Sequence, residues 1–201
     1  MCGIVGGTSE RNILPILVEG LRRLEYRGYD SAGVAFKKNG SISVTKNKGR
    51  VDELAKKLNL KANQSNLGIA HTRWATHGIP SEKNAHPHHS KNIFVVHNGI
   101  IENHIDLKAQ LKAEGIRFTT QTDTEVIAHL IRMFIEKGQS FEKAVFNSLK
   151  KLKGAYALGI INKNDPEQII GARYQSPLVL GKGFQENFIA SDVMALAPVT
   201  N

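Results

Sequence analysis

Cys2 is the one cysteine in a chain of 201 residues, so no disulfide within the chain can engage its sulfur. It stands between Met1 and the run Gly3-Ile4-Val5-Gly6. Removal of an initiator methionine would leave Cys2 with a thiol and a free α-amine on one α-carbon. A thiol of pKa about 8.5 and an α-amine of about 7.7–8.0 both titrate near neutrality, so the amine can take the thiol proton directly or through one water. That makes a nucleophile with its own base. The same residue also fits a small buried hydrophobe that happens to fall at position two.

A thiolate that attacks a carboxamide or ester creates a tetrahedral oxyanion, which needs fixed hydrogen-bond donors beside it. Asn98-Gly99 offers a side-chain amide and a backbone N–H left unobstructed by glycine, though the dipeptide also reads as an ordinary turn. Arg73 can fork onto a substrate carboxylate in a planar, bidentate way that lysine cannot copy. Asp123 can hold an ammonium group, or can serve as a first-turn carboxylate favoured by a helix dipole. A carboxylate clamp and an ammonium clamp together would select the α-amino-acid end of a substrate such as glutamine.

Elements able to position these residues follow from the patterning. Cys2–Thr8 reads as a buried strand, and Asn12 as the N-cap of a helix carrying Leu14, Leu17, Val18, Leu21 and Leu24 on one face, with Pro15 in its first turn. The helix should stop near Gly28. Asn39-Gly40 between two β-prone runs predicts a hairpin of 31–36 with 41–46, and a short helix is expected over 51–58. The run 67–70 reads as a strand delivering His71–Gly78 at its end. Residues 73–92 read as one long loop, of the kind that is often functional. A strand over 93–96 ends in His97-Asn98-Gly99. Helices are expected from Asn103 or Asp106 to Glu114, after Gln121–Glu125, and from Ser140. Strands return at 155–161, 168–172, 178–180 and 188–190, with a turn at Asn164-Asp165-Pro166. Strands at both ends and helices between them predict an α+β layered fold in one domain, residues 1–201.

Composition narrows the class. No apolar run approaches the ~18 residues of a membrane span, and no signal-type segment opens the chain, so a cytoplasmic protein is expected, as the single cysteine also suggests. A formal charge of +9 could mark a nucleic-acid binder. The basic residues, however, are dispersed among acids with few aromatics interleaved, which argues for a solvated face or an acidic neighbour and against nucleic acid. His86, His88 and His89 match no common metal-ligand spacing, so no metal and no cofactor are expected, and hydrogen bonding through the rings is the favoured reading.

Several strings taken together carry a resemblance: Cys2–Gly6, Leu21–Gly33 (LRRLEYRGYDSAG), His71–Gly78 (HTRWATHG), Asn84–His88 (NAHPH), His97–Asn103 (HNGIIEN) and Thr122–Glu125 (TDTE), with further matches at Ser176-Pro177-Leu178 and Ala190-Ser191-Asp192. In this order and spacing the chain resembles the class II glutamine amidotransferases. Within them it is most similar to the glutaminase domain of the branch that makes glucosamine 6-phosphate from fructose 6-phosphate. The resemblance implies a four-layer αββα sandwich of the N-terminal nucleophile hydrolase type. It implies Cys2 as nucleophile with its α-amine as base, and Asn98 with the Gly99 N–H as oxyanion hole. It further implies Arg73 on the glutamine α-carboxylate, Asp123 on its α-amine, Trp74, Thr76 and His77 lining or closing the pocket from a mobile loop, and Arg27 supporting the nucleophile.

In such synthases two sugar-phosphate isomerase domains receive the ammonia, and the whole enzyme is expected to be a homo-oligomer. This chain ends at Asn201, about where a linker would begin, so it is expected to be the isolated glutaminase part, with L-glutamine and the missing isomerase half as partners. A retained Met1 would tie up the α-amine. The alternatives are the glutaminase part of another class II amidotransferase, which Leu21–Gly33 argues against, and a basic binding module without enzymatic activity.

Overall fold

A computed structural model describes residues 2–199. Their strands are β1 (Gly3–Ser9), β2 (Ser31–Lys38), β3 (Ser41–Lys48), β4 (Leu67–Arg73), β5 (His88–Ser90), β6 (Ile93–Gly99), β7 (Tyr156–Asn162), β8 (Asp165–Tyr174), β9 (Val179–Gly183) and β10 (Glu186–Ala190). Their α-helices are α1 (Leu14–Leu24), α2 (Val51–Leu58), α3 (His104–Ala113), α4 (Glu125–Glu136) and α5 (Phe141–Leu149). A six-stranded antiparallel sheet has the order β3-β2-β4-β1-β10-β9, and a four-stranded one the order β5-β6-β7-β8.

Alternation along each strand explains the layering, since successive side chains point to opposite faces. On β1, Val5 joins Leu14, Leu17, Leu21 and Leu54 beneath α1 and α2, while Ile4 faces the other sheet. On β6, Ile93 and Val95 pack with Val126, Leu130 and Val145 beneath α4 and α5, while Phe94 and Val96 meet Ile4, Ala35 and Ile69. The result is helices, sheet, sheet, helices, the αββα sandwich that the family resemblance implies. β1 is central, hydrogen-bonded to β4 on one side (Gly3 opposite Thr72) and to β10 on the other (Val5 opposite Ala190).

Four local expectations are corrected. Residues 73–92 are not all loop: His88–Ser90 forms β5, paired with Ile93–Val95. The expected turn at Asn164-Asp165-Pro166 moves back, because β8 already begins at Asp165; Pro166 is accommodated on the sheet's edge strand, where its missing N–H matters least. Arg73, Asn98 and Gly99 are the last residues of longer strands rather than loop residues beyond them. The N-cap of α1 is Ile13, one position after the expected Asn12, whose Oδ1 instead accepts the Leu14 N–H at 3.3 Å and the Ser65 N–H at 3.0 Å, tying α1 to the approach of β4. The 39–40 turn is as expected, with φ of 49° at Asn39 and 71° at Gly40.

Leu17 lies in the layer between α1 and its sheet with no exposed surface, whereas Phe184 is 89% exposed on the β9–β10 turn. Leu17→Ala should therefore lower unfolding free energy by about 2–5 kcal/mol, while Phe184→Ala should change it by less than about 0.5 kcal/mol. Denaturant midpoints at unchanged slope are the measurement, and equal midpoints for the two variants would contradict this layering.

Candidate active site

The ends of β1, β4 and β6 meet at one corner of the sandwich. Cys2 immediately precedes β1, and its Sγ accepts the Trp74 N–H at 3.3 Å while lying 3.5 Å from the Trp74 carbonyl oxygen. Asn98 Nδ2 donates to the Cys2 carbonyl at 3.0 Å, a bond that crosses from one sheet to the other. Beside it, Gly99 has φ of +120°, and a Cβ there would stand 2.0 Å from the Ala155 carbonyl oxygen, so only glycine fits the corner. The thiol and the Asn-Gly pair are thus adjacent.

Burial pushes the Cys2 thiol above its ordinary pKa. The Trp74 N–H and the Arg73 guanidinium pull it down, and the Asp30 carboxylate raises it again. Arg73 is itself 3% exposed. Its Nη2 donates to the His77 and Gly78 carbonyl oxygens, and its Nη1 has no partner among the described residues. A buried guanidinium bonded only to carbonyls is unusual, because buried charges are normally neutralised. Nη1 is suited to an arriving carboxylate.

Asp123 is buried at the entrance to α4, and its Oδ2 accepts the Ile101 N–H at 2.8 Å, two residues beyond Gly99. The loop before it is held by the Glu125 carboxylate, which takes the N–H groups of Thr119 (2.8 Å) and Thr120 (2.7 Å). On the loop after β4, Trp74 is 53% exposed and meets the Tyr29 ring edge-on, Thr76 is exposed, and the half-buried His77 ring packs against His104. Arg27 pairs with Asp192 and bonds the Tyr26 hydroxyl at 2.9 Å. Met1 lies outside the described residues.

Sequence reasoning expected His86 and His88 to hydrogen-bond through their rings, as they do, but gave no role to Asp30, His71 or His97. Asp30 Oδ2 accepts the Ala75 N–H and its backbone N–H donates to the Arg73 carbonyl at 3.1 Å, fastening the root of the 74–78 loop. A group of buried histidines links the strand ends to the start of α4: His71 stacks on His86, and both His86 Nε2 (3.0 Å) and His97 Nδ1 (2.9 Å) meet Thr124 Oγ1. His88 Nε2 lies 3.2 Å from Thr122 Oγ1, and His89 stacks on Phe94. Burial lowers His71 to about 3 and holds His86 and His88 well below their ordinary values, so these rings are neutral. The one sequence signal was the density of histidine among strand ends.

The glutamine amidotransferase domain family has a sequence model that matches residues 71–198. The isomerizing glutamine–fructose-6-phosphate aminotransferase of Acinetobacter baylyi is 56% identical over all 201 residues, and that of Escherichia coli K12 is 52% identical. The chain spans 33% of the length of each of these relatives. Among solved structures, the glutamine phosphoribosylpyrophosphate amidotransferase of Bacillus subtilis superposes with a TM-score of 0.86 at 30% identity, over 99% of this chain and 44% of that one. A glutamine aminotransferase class-II domain protein from Silicibacter pomeroyi, 16% identical with a TM-score of 0.62, shares the fold over 94% of this chain and 88% of its own. The fold is that of the N-terminal nucleophile amidotransferases.

Because Cys2 is the only cysteine and burial raises its pKa, its neutral thiol should persist to higher pH than an ordinary one. Alkylation by iodoacetamide, followed by mass, should accelerate with a midpoint above the ordinary thiol value. A midpoint well below that value would show that the N–H and guanidinium outweigh burial.

Proposed function

Since the chain belongs to the glutamine amidotransferase domain family, we propose that residues 1–201 form one glutaminase domain that releases ammonia from the glutamine side chain through a Cys2 thioester. The observation that carries this reading is the 3.0 Å bond from Asn98 Nδ2 to the Cys2 carbonyl, which keeps an amide donor beside the thiol. Nδ2 has two N–H groups, so a second donor remains on the same nitrogen.

In the proposed sequence, the Cys2 α-amine, freed by removal of Met1, takes the thiol proton. Sγ forms a bond to the amide carbon of glutamine, and the displaced π pair becomes an oxyanion held by Asn98 Nδ2 and the Gly99 N–H. The proton passes to the leaving nitrogen, the C–N bond breaks, and ammonia departs. Water then attacks the γ-glutamyl thioester, giving glutamate and the free thiol. Arg73 Nη1 binds the substrate α-carboxylate and Asp123 the α-ammonium, while Trp74, Thr76 and His77 line the entrance and Arg27 steadies its base through Asp192. Raised by burial, the thiol needs its base at the moment of attack, which fits a nucleophile activated by an adjacent amine.

The aminotransferases of Acinetobacter and Escherichia that this chain resembles are about three times as long. In a protein of that kind the ammonia would pass to a sugar-phosphate isomerase half for glucosamine 6-phosphate synthesis from fructose 6-phosphate.

Cys2→Ala should abolish glutamate release from glutamine while leaving the circular dichroism spectrum and melting temperature unchanged; residual turnover at the wild-type rate would sink the scheme. Arg73→Lys should raise KM for glutamine on the order of tenfold, because a point charge cannot reproduce the fork, and an unchanged KM would remove Arg73 from the carboxylate. Mass measurement of the N-terminus accompanies both assays, since a species retaining Met1 should be inactive.

A further inference from the structure

The side-chain amide of Asn98 is planar, and a half-turn about its last torsion exchanges its oxygen and nitrogen ends. Only one of the two settings presents N–H groups toward Cys2. We propose that His71 is the positioning residue that enforces this setting, by donating its Nε2–H to Asn98 Oδ1. The inference rests on the glutaminase reading above and assigns a further residue to the same chemistry.

The protonation pattern follows from the neighbours. The Cys2 carbonyl oxygen, 3.0 Å from the amide, can only accept, so the nitrogen end of Asn98 must face it. The oxygen end then lies 3.1 Å from His71 Nε2, which is also 3.0 Å from the His97 carbonyl oxygen. With an acceptor on both sides, Nε2 must carry the proton. His71 Nδ1 has no partner among the described residues, as expected for the bare nitrogen of that tautomer. The ring cannot swing away: it is fully buried and lies against the His86 ring at 4.1 Å between centroids, tilted by 32°. His86 is in turn held through Nε2 by Thr124 Oγ1 at 3.0 Å.

His71 comes from β4 and Asn98 from β6, so the bond joins the two sheets directly behind the oxyanion corner. Without this donor, either amide setting leaves Oδ1 or Nδ2 facing His71's vacated place, and the setting that turns oxygen toward Cys2 loses its penalty there. The reversed setting would repel the oxyanion it should stabilise. Binding of the amino-acid end, assigned to Arg73 and Asp123, does not pass through this bond. The loss should therefore fall on kcat.

The test compares His71→Gln, which places an N–H near the position of Nε2, with His71→Met, which has similar length and no donor. Steady-state glutamate release is measured for both, alone and combined with Asn98→Ala. His71→Met should lower kcat on the order of tenfold to a hundredfold, with KM for glutamine changed by less than about twofold. His71→Gln should recover most of that loss. In the Asn98→Ala background His71→Met should add little, since the residue acts through Asn98. Equal losses for the Gln and Met variants, a wild-type kcat in the Met variant, or a full further loss on top of Asn98→Ala would overturn the proposal.

Nitrogen-15 spectra of the wild-type protein supply a readout independent of turnover. A neutral His71 ring protonated at Nε2 is expected from about pH 5 to about pH 8, and a ring protonated at Nδ1 overturns the grip. Absence of glutamate release from the wild type with Met1 removed would instead overturn the glutaminase reading, and this inference with it.

Discussion

The bond between Asn98 Nδ2 and the Cys2 carbonyl ties together elements that the chain keeps 96 positions apart. It can form only because two sheets approach closely at the ends of β1 and β6. Small residues permit that approach: Ala35 and Ala157 lie in the layer between the sheets, and a Cβ on Gly159 would stand 3.0 Å from Val96 and 3.2 Å from Ile189. Large residues on the outer faces, Leu14, Leu17 and Leu21 on one side and Val126, Leu130 and Phe141 on the other, press each sheet inward from its helices. Packing density thus sets the position of a hydrogen bond. β1, paired on both edges, has no freedom to move its first residue away.

Much of this frame was readable from pattern alone. The apolar stripe of α1, the Asn39-Gly40 turn and the continuous apolar runs of β6 and β7 each have a local cause, so their sequence patterns match their structure. The elements that were not readable have non-local causes. His88-His89-Ser90 carries no alternating apolar signal, and becomes β5 because Ile93–Val95 offers it an open edge. Asp165-Pro166 has turn chemistry, yet extends β8 because β7 supplies partners and the other edge faces no strand. Tertiary pairing overrode propensity in both cases.

The site divides in the same way. Residue types suited to nucleophile, oxyanion donor and charge clamps were visible in Cys2, Asn98-Gly99, Arg73 and Asp123, and the structure sets Cys2 beside Asn98 and beside the residue that follows Arg73. What sequence could not supply were the supports. Asp30 fastens Ala75 across 45 positions, His71 meets Asn98 across 27, and His86 meets Thr124 across 38. Each is a hydrogen bond between residues whose nearness only the closed sandwich creates.

The buried histidines raise an energetic question, since polar rings in a protein interior cost stability unless their nitrogens are bonded. His71, His86 and His97 each bond through one nitrogen and leave the other unpartnered among the described residues. A leucine layer would be the more stable filling, so the rings are better understood through what they position. Burial keeps His71, His86 and His88 neutral, and the field of Arg73 acts in the same direction on all three. A neutral wall adds no full charge next to the guanidinium that would compete for a carboxylate. Under the proposed reading, recognition of the two charged ends of the substrate then falls to Arg73 and Asp123, and the rings serve orientation: one donor proton, held on a fixed nitrogen, aims the amide that faces the thiol.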